Sequence, residues 1–149
     1  LSSSSAASDV YKRQMFKNPR DYAGAGTGNG RDISGWREAI YGPSGAPIPT
    51  RIADQLRGRM YGRWDKMREE IWKALASDPE LSKHFKAISL NKMRNGGAPF
   101  TEEGLAGKRR VLELHHIHPV AEGGAVYDID NLLIMTPRAH IDSHKKGEK

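Results

Sequence analysis

The sequence contains no cysteine among its 149 residues. Disulfide bonds and cysteine-based zinc or redox sites are therefore excluded, and any metal ion must be held by histidine, aspartate or glutamate. The sequence also lacks a run approaching the roughly 20 apolar residues that a membrane-spanning helix needs, so we expect no membrane-spanning segment. A chain of this length suffices for one compact domain with a single hydrophobic core.

Basic side chains outnumber acidic ones, with 24 Lys and Arg against 18 Asp and Glu and a formal net charge of +6. Because each cation that contacts a phosphate releases condensed counterions, this excess favours a polyanionic partner. Many basic proteins bind no nucleic acid, so charge alone does not identify the partner.

The amino-terminal part of the chain is rich in small residues and shows no helical or strand periodicity. Residues 1–14 lack the cationic start and apolar centre of a signal peptide, and we expect them to be disordered or artefactual. The domain is expected to occupy residues 15–149. Alternating glycines within residues 15–35 predict a flexible arm, because neither a phosphate-binding nor a dinucleotide-binding loop has its required residues here.

Apolar residues at helical spacing predict a mostly helical middle of the chain. A short helix is predicted over Trp36–Ile40, a second one is predicted to be capped by Thr50, and a third is predicted over residues 63–76. Asp78, which a proline follows, predicts the start of a further helix. The aromatic residues are interpreted as core rather than as base-stacking groups, and the isolated His84 as a structural histidine.

The last third of the chain predicts two strands and a helix. Residues 111–117 and 132–135 are predicted strands, joined through a turn at Gly123 and Gly124. Thr136 is placed to cap the final helix, with a proline at its first position. Helices followed by a hairpin and a helix predict an α+β domain.

Five of the six histidines lie between residues 115 and 144. His140 and His144 are four residues apart on the predicted helix, so they project from one face and can bind one metal ion. The hairpin folds His115 back toward this helix. We therefore predict a divalent-metal site formed by these three histidines, with positions left open for water and a phosphate oxygen.

Polar residues beside these histidines suit a catalytic site. His116 points to the opposite face of the strand from His115 and is predicted to be a general base, because imidazole titrates near neutral pH. The amide of Asn131 is expected either to hold the hairpin backbone or to orient an imidazole. On one strand face, Arg109 can pair with a phosphate while Glu113 orients it or a metal-bound imidazole.

The order of these residues resembles the HNH signature of the colicin and S-type pyocin DNases. The matching residues are Glu113–His116, Asn131 and residues 140–144, and the stretches 77–83, 126–131 and 136–138 also resemble that family. The resemblance extends from about Arg20 to the carboxyl terminus. It implies an α+β, mostly helical domain with a carboxy-terminal ββα-metal motif, also called HNH or His-Me finger, over about residues 109–146.

The resemblance also implies a role for each metal-site residue. His115, His140 and His144 match the metal ligands of the family, and His116 matches the general base. One divalent metal ion is expected, with Zn²⁺, Ni²⁺ and Mg²⁺ all open as its identity.

Further residues match the family's phosphate contacts and its structural asparagine. Arg109 and Glu113 match the paired arginine and glutamate beside the scissile phosphate, and Asn131 matches the asparagine that fixes the hairpin loop. Arg20 falls where the family keeps an amino-terminal arginine that reaches into the site.

Two departures from the family pattern concern phosphate and partner contacts. Ile117 and His118 stand where the family has an acidic residue and a lysine, so His118 is either a phosphate contact or a bystander. Residues 95–108 are about one residue shorter than in relatives. In the family this region binds an inhibitory immunity protein, and Phe100 matches an aromatic residue of that surface.

The function implied by the resemblance is metal-dependent hydrolysis of DNA phosphodiester bonds with little sequence specificity. The domain would be the monomeric cytotoxic part of a bacteriocin, with double-stranded DNA and an acidic immunity protein as partners. It would be released from the producing bacterium and act in the cytoplasm of the target cell. The receptor-binding and import regions of a complete bacteriocin are missing, so we expect a fragment or a toxin delivered by another route.

Other functions stay open at this point. An HNH endonuclease of a restriction, homing or phage system would share the metal site. A non-catalytic, metal-stabilised DNA-binding module would need neither His116 nor Arg109. Cleavage of RNA is not excluded by any residue.

Overall fold

The computed structural model describes residues 18–101 and 110–147, without the side chains of residues 144–147. In chain order this part contains β1 (Gly24–Ala25), α1 (Trp36–Ile40), β2 (Ala46–Pro47), α2 (Thr50–Leu56), β3 (Met60–Tyr61), α3 (Trp64–Ser77), α4 (Ala87–Arg94), β4 (Glu113–His116), β5 (Leu132–Met135) and α5 (Pro137–Gly147). Short 3-10 turns lie at Pro19–Asp21, Leu81–His84, Val120–Glu122 and Ile129–Asn131. This mixture confirms the predicted α+β class. The segment 1–14 lies outside the described residues.

The core of the domain forms around α3. Its apolar side chains repeat at helical spacing and are all buried, as predicted: Trp64, Met67, Ile71, Trp72 and Leu75. The helix packs against α2 and α4. The aromatic residues of this face therefore belong to the core. Within the described residues no helix has both the length and the apolar character that a membrane crossing requires.

Two helix starts show how local capping competes with distant contacts. Pro49 rather than Thr50 is the N-cap of α2, so the predicted cap is wrong by one residue. The carboxylate of Asp32 accepts a hydrogen bond from the Thr50 N–H at 3.0 Å and replaces a local cap. Asp78 does cap the next segment, because its Oδ1 accepts from the N–H groups of residues 80 and 81. That segment is a 3-10 turn and not the predicted helix.

A three-stranded antiparallel sheet carries the hairpin, in the order β2-β5-β4. β5 has the predicted bounds, and β4 is shorter than the predicted strand. Glu113 pairs with Met135 and His115 pairs with Leu133. β2 forms within the proline-rich residues 43–49 at the sheet edge, where a proline is tolerated.

The glycine-rich segment forms backbone hydrogen bonds to the rest of the domain. The prediction of a flexible arm is therefore wrong for residues 18–35. β1 pairs with β3, with Gly24 opposite Tyr61. Further along, the Thr27 N–H donates to the Tyr127 carbonyl at 3.0 Å, and the Ile129 N–H donates to the Thr27 carbonyl at 2.8 Å. These partners are distant in the sequence, and glycine spacing does not reveal them.

The hairpin turn requires glycine at two successive positions. Gly123 has a φ of 90°, which side-chain-bearing residues rarely adopt. A Cβ on the buried Gly124 would collide with the backbone carbonyl of His118. The turn therefore lies at the predicted glycines for two reasons. Gly123 is required by its backbone conformation, and Gly124 by the close approach of the His118 carbonyl.

Replacing Gly124 by alanine is expected to lower the free energy of unfolding by about 1–3 kcal/mol, because the added methyl group must displace backbone. The change can be measured by urea denaturation monitored by circular dichroism.

The matched control is Gly62→Ala, since a Cβ there meets no atom within 4 Å. We expect this variant to change the free energy of unfolding by less than about 1 kcal/mol. Equal losses in the two variants would contradict the close approach at Gly124.

Candidate metal and catalytic site

Two of the predicted metal ligands lie side by side. The imidazole rings of His115 in β4 and His140 in α5 have centroids 4.6 Å apart, with an angle of 60° between their planes. The pairing of Glu113 with Met135 sets the end of β5 beside β4, and α5 begins two residues later. The His140 N–H closes the first turn of α5 on the Thr136 carbonyl at 3.0 Å. Strand register and helix start together bring the two rings into contact.

A carboxylate orients one of these rings. Glu113 Oε2 lies 2.5 Å from His140 Nδ1, and both side chains are partly buried. A carboxylate on one ring nitrogen fixes the tautomer and makes the other nitrogen the better metal ligand. Nε2 of His140 is therefore the nitrogen that would bind an ion.

The third predicted ligand, His144, lies on the same helix as His140. The backbone of α5 continues through residue 144, one turn after His140, and residues four apart share a helix face. Among the side chains that the structure describes, which do not include that of His144, no group of three potential metal ligands is complete. The two described imidazoles suit a divalent ion, because they provide nitrogen donors from rigid elements with a carboxylate behind one of them.

His116 is held in a different environment from its neighbour. Its side chain is buried, with 7% of its surface exposed, and its ring centroid lies 4.6 Å from that of Trp64. Nε2 lies 3.0 Å from the Val126 carbonyl oxygen. Because a carbonyl oxygen can only accept, Nε2 carries the hydrogen and Nδ1 keeps the lone pair. The ring is thus fixed as the tautomer in which Nδ1 can take up a proton.

Burial lowers the pKa of His116 below its usual value of 6.5. The hydrogen bond to the Val126 carbonyl opposes this change, and the positive charge of Arg20 lowers the pKa further. The lowered pKa keeps the ring neutral near neutral pH, which is the state that a base requires. Arg20, whose charge contributes to this shift, is 96 residues earlier in the chain.

Asn131 bridges the two ends of the hairpin loop. Its Oδ1 accepts from the His118 N–H at 2.8 Å, and its Nδ2 donates to the carbonyls of His118 and Ala125 at 3.1 and 2.9 Å. The amide thus bonds to backbone on both sides of the loop. These contacts match the first of the two roles considered for this residue.

Two further predicted residues, His118 and Phe100, lie outside the cluster of rings. The His118 side chain is exposed to solvent. Phe100 is 39% exposed, and the Lys92 ammonium group lies 4.4 Å from its ring centroid. Arg109 lies outside the described residues. His84 packs against the Trp36 ring at 5.6 Å, in keeping with a structural histidine.

Sequence reasoning missed the groups that hold His116. Trp64 was interpreted only as a core residue, yet it also contacts the proposed base. Val126 contacts His116 through its backbone carbonyl, which every residue has, so the residue type does not indicate this contact. Tyr127, which contacts the amino-terminal segment, was likewise not singled out.

Comparison with known proteins identifies the family. The family described as "Colicin/Pyocin-S2, DNase domain" matches residues 24–146. Pyocin-S1 of Pseudomonas aeruginosa is 50% identical over 136 residues, which is 90% of this chain and 22% of that protein. The chain therefore spans about a fifth of the length of this relative.

Two solved structures match most of the chain. The mutant nuclease domain of pyocin S8, solved with its cognate immunity protein, has a TM-score of 0.77 and 46% identity and covers 82% of this chain and 99% of that one. The pyocin AP41 DNase–immunity complex has a TM-score of 0.78 and 37% identity and covers 83% of this chain and 98% of that one. The chain belongs to the family of colicin and pyocin DNase domains.

Proposed function

We propose that the domain hydrolyses DNA phosphodiester bonds with little sequence specificity, using one divalent metal ion, as the cytotoxic part of a bacteriocin. The observation that carries the proposal is the contact between the rings of His115 and His140 next to the buried, neutral His116. Membership of a DNase family supports the reaction type. It also favours this function over that of a restriction or homing enzyme.

The metal ion would be held by His115 and His140, with His144 one helical turn further along. When bound, it supplies positive charge that stabilises the phosphate and the leaving oxygen. Glu113 keeps the His140 ring in the ligand tautomer through its contact with Nδ1. Imidazole ligands favour Zn²⁺ or Ni²⁺ in affinity, whereas Mg²⁺ also supports phosphodiester hydrolysis, so the proposal extends to all three ions.

His116 is the proposed general base. Its Nδ1 takes a proton from the attacking water while Nε2–H remains bonded to the Val126 carbonyl. The Trp64 ring limits how far the imidazole can turn. Its lowered pKa leaves the base unprotonated at neutral pH without any further partner.

Basic side chains are proposed to hold the phosphate backbone. Arg20 is proposed to contact the scissile phosphate, and the contribution of its charge to the pKa of His116 supports this role. Arg109 and the exposed His118 are further proposed phosphate contacts. Contacts to phosphates carry no base information, which accounts for cleavage with little sequence specificity.

An acidic immunity protein is the proposed inhibitor. Both solved relatives are described with an immunity protein. The exposed ring of Phe100 is a proposed contact, and the net charge of +6 complements an acidic partner. We further propose that the domain is monomeric and acts in the cytoplasm of a target bacterium after release from the producing cell.

The His116→Ala variant is expected to lose at least about a hundredfold in plasmid cleavage, because general-base catalysis contributes roughly 10²–10⁴-fold. Metal binding should persist, since the ring belongs to the base and not to the ligand set. Nicking of supercoiled plasmid and calorimetric titration with Zn²⁺ measure the two properties separately.

His84→Ala is the matched control, because that ring packs on Trp36 away from the site. It should cleave at the parent rate once circular dichroism has confirmed that it folds. If His116→Ala nicked plasmid as fast as the parent, the assignment of the base would be wrong.

The Arg20→Gln variant is expected to raise the pKa of His116. The arginine charge disfavours the imidazolium form, so its removal lets the ring take up a proton at a higher pH. An NMR titration of the histidine rings in the presence of a chelator measures this change.

Arg94→Gln serves as the control, because the Arg94 guanidinium donates a hydrogen bond to the Asn91 side chain at the end of α4. That variant should leave the His116 titration unchanged. A pKa that stays constant or falls in Arg20→Gln would show that the guanidinium does not lie near the base.

A further inference from the structure

A tyrosine hydroxyl contacts the backbone of the segment that carries Arg20. The Tyr127 hydroxyl donates a hydrogen bond to the backbone carbonyl of Tyr22, with 2.5 Å between the oxygens. Tyr22 lies two residues after Arg20, and residues 21–23 are exposed to solvent. Tyr127 itself is only 9% exposed. A buried side chain therefore holds an exposed stretch of backbone next to the proposed phosphate contact.

Contacts with two neighbours hold the Tyr127 ring. The ring stacks on that of Tyr61, with centroids 6.2 Å apart and an angle of 9° between the planes. It also lies close to the backbone at Gly24, where any Cβ would overlap the ring. Burial raises the pKa of Tyr127, with a smaller contribution from the charge of Asp21, so the hydroxyl remains a donor at neutral pH.

The same stretch of the hairpin serves both the amino-terminal segment and the base. The Val126 carbonyl holds His116, and the next residue, Tyr127, holds the Tyr22 carbonyl. Further along, the Asp130 carboxylate accepts from the N–H groups of residues 29 and 30 at 3.1 and 2.9 Å. The Tyr127 hydroxyl is the anchor nearer to Arg20, whereas the Asp130 carboxylate holds the far end.

We infer that Tyr127 is a positioning residue, whose hydroxyl holds the backbone two residues after Arg20 and so keeps the Arg20 guanidinium at the proposed phosphate site. This inference rests on the proposed function, because it takes Arg20 as a phosphate contact. Without the hydroxyl, the segment from Arg20 to Tyr22 samples more conformations, and the guanidinium is near the phosphate for less of the time. The His116 ring keeps its hydrogen bond to the Val126 carbonyl.

The test compares Tyr127→Phe with Tyr61→Phe in plasmid nicking by the whole chain. Loss of one neutral hydrogen bond predicts about a fivefold fall in kcat for Tyr127→Phe. The KM for DNA should be unchanged, because DNA binding is distributed over many phosphate contacts. Tyr61→Phe removes a hydroxyl from the stacked neighbour, which donates to the Leu56 carbonyl at 3.4 Å, and should leave both constants unchanged.

A double-mutant cycle separates positioning from general stabilisation. In an Arg20→Ala background, Tyr127→Phe should cause no further loss of kcat, because the hydroxyl acts through that arginine. A fivefold loss with and without Arg20 would overturn the inference, and so would an unchanged kcat in the single variant.

Amide hydrogen exchange gives a readout that does not depend on activity. In Tyr127→Phe, the N–H groups of Asp21 and Tyr22 should exchange faster, while those of Gly26 and Thr27 keep their bonds to backbone carbonyls. Should the parent chain cut no DNA with any divalent ion, the proposed function fails, and exchange alone then decides whether the hydroxyl anchors the segment. Unchanged exchange at Asp21 and Tyr22 would overturn the inference.

Discussion

The antiparallel register between β4 and β5 is the constraint on which the site depends. It sets Glu113 opposite Met135, and α5 starts directly after that pair, so His140 falls beside both Glu113 and His115. A slip of one residue would turn His115 to the other face of the sheet and separate the rings. The glycines of the turn and the side chain of Asn131 hold this register, although they lie outside the cluster of rings.

The stretch Val126–Asn131 connects the parts of the site that the register alone does not position. Its backbone holds the His116 ring, its tyrosine holds the segment with Arg20, and its asparagine closes the loop. The proposed base, the proposed phosphate contact and the hairpin are thus all held by this one short stretch. A change in it is therefore expected to disturb several of the proposed catalytic groups together.

Features that depend on neighbouring residues could be predicted from the sequence. The bounds of β5, the cap at Thr136 and the four-residue spacing of His140 and His144 follow from local propensity and periodicity. Features that depend on distant contacts could not. The Tyr127–Tyr22 bond joins residues 105 apart in the sequence, and the Asp32 contact that displaces the Thr50 cap is similarly non-local. Glycine spacing indicated a flexible arm, but the folded chain pairs this segment with β3, a partner that no local pattern reveals.

The central claim is that His115 and His140 bind the same ion. Calorimetric titration of the chelator-stripped chain with Zn²⁺ tests it most directly, when the parent is compared with His115→Ala and His140→Ala. We expect one Zn²⁺ ion per parent chain and a large loss of Zn²⁺ affinity in each variant. If both variants bound Zn²⁺ as tightly as the parent, the two histidines would not share an ion, and the proposed catalytic centre would be wrong.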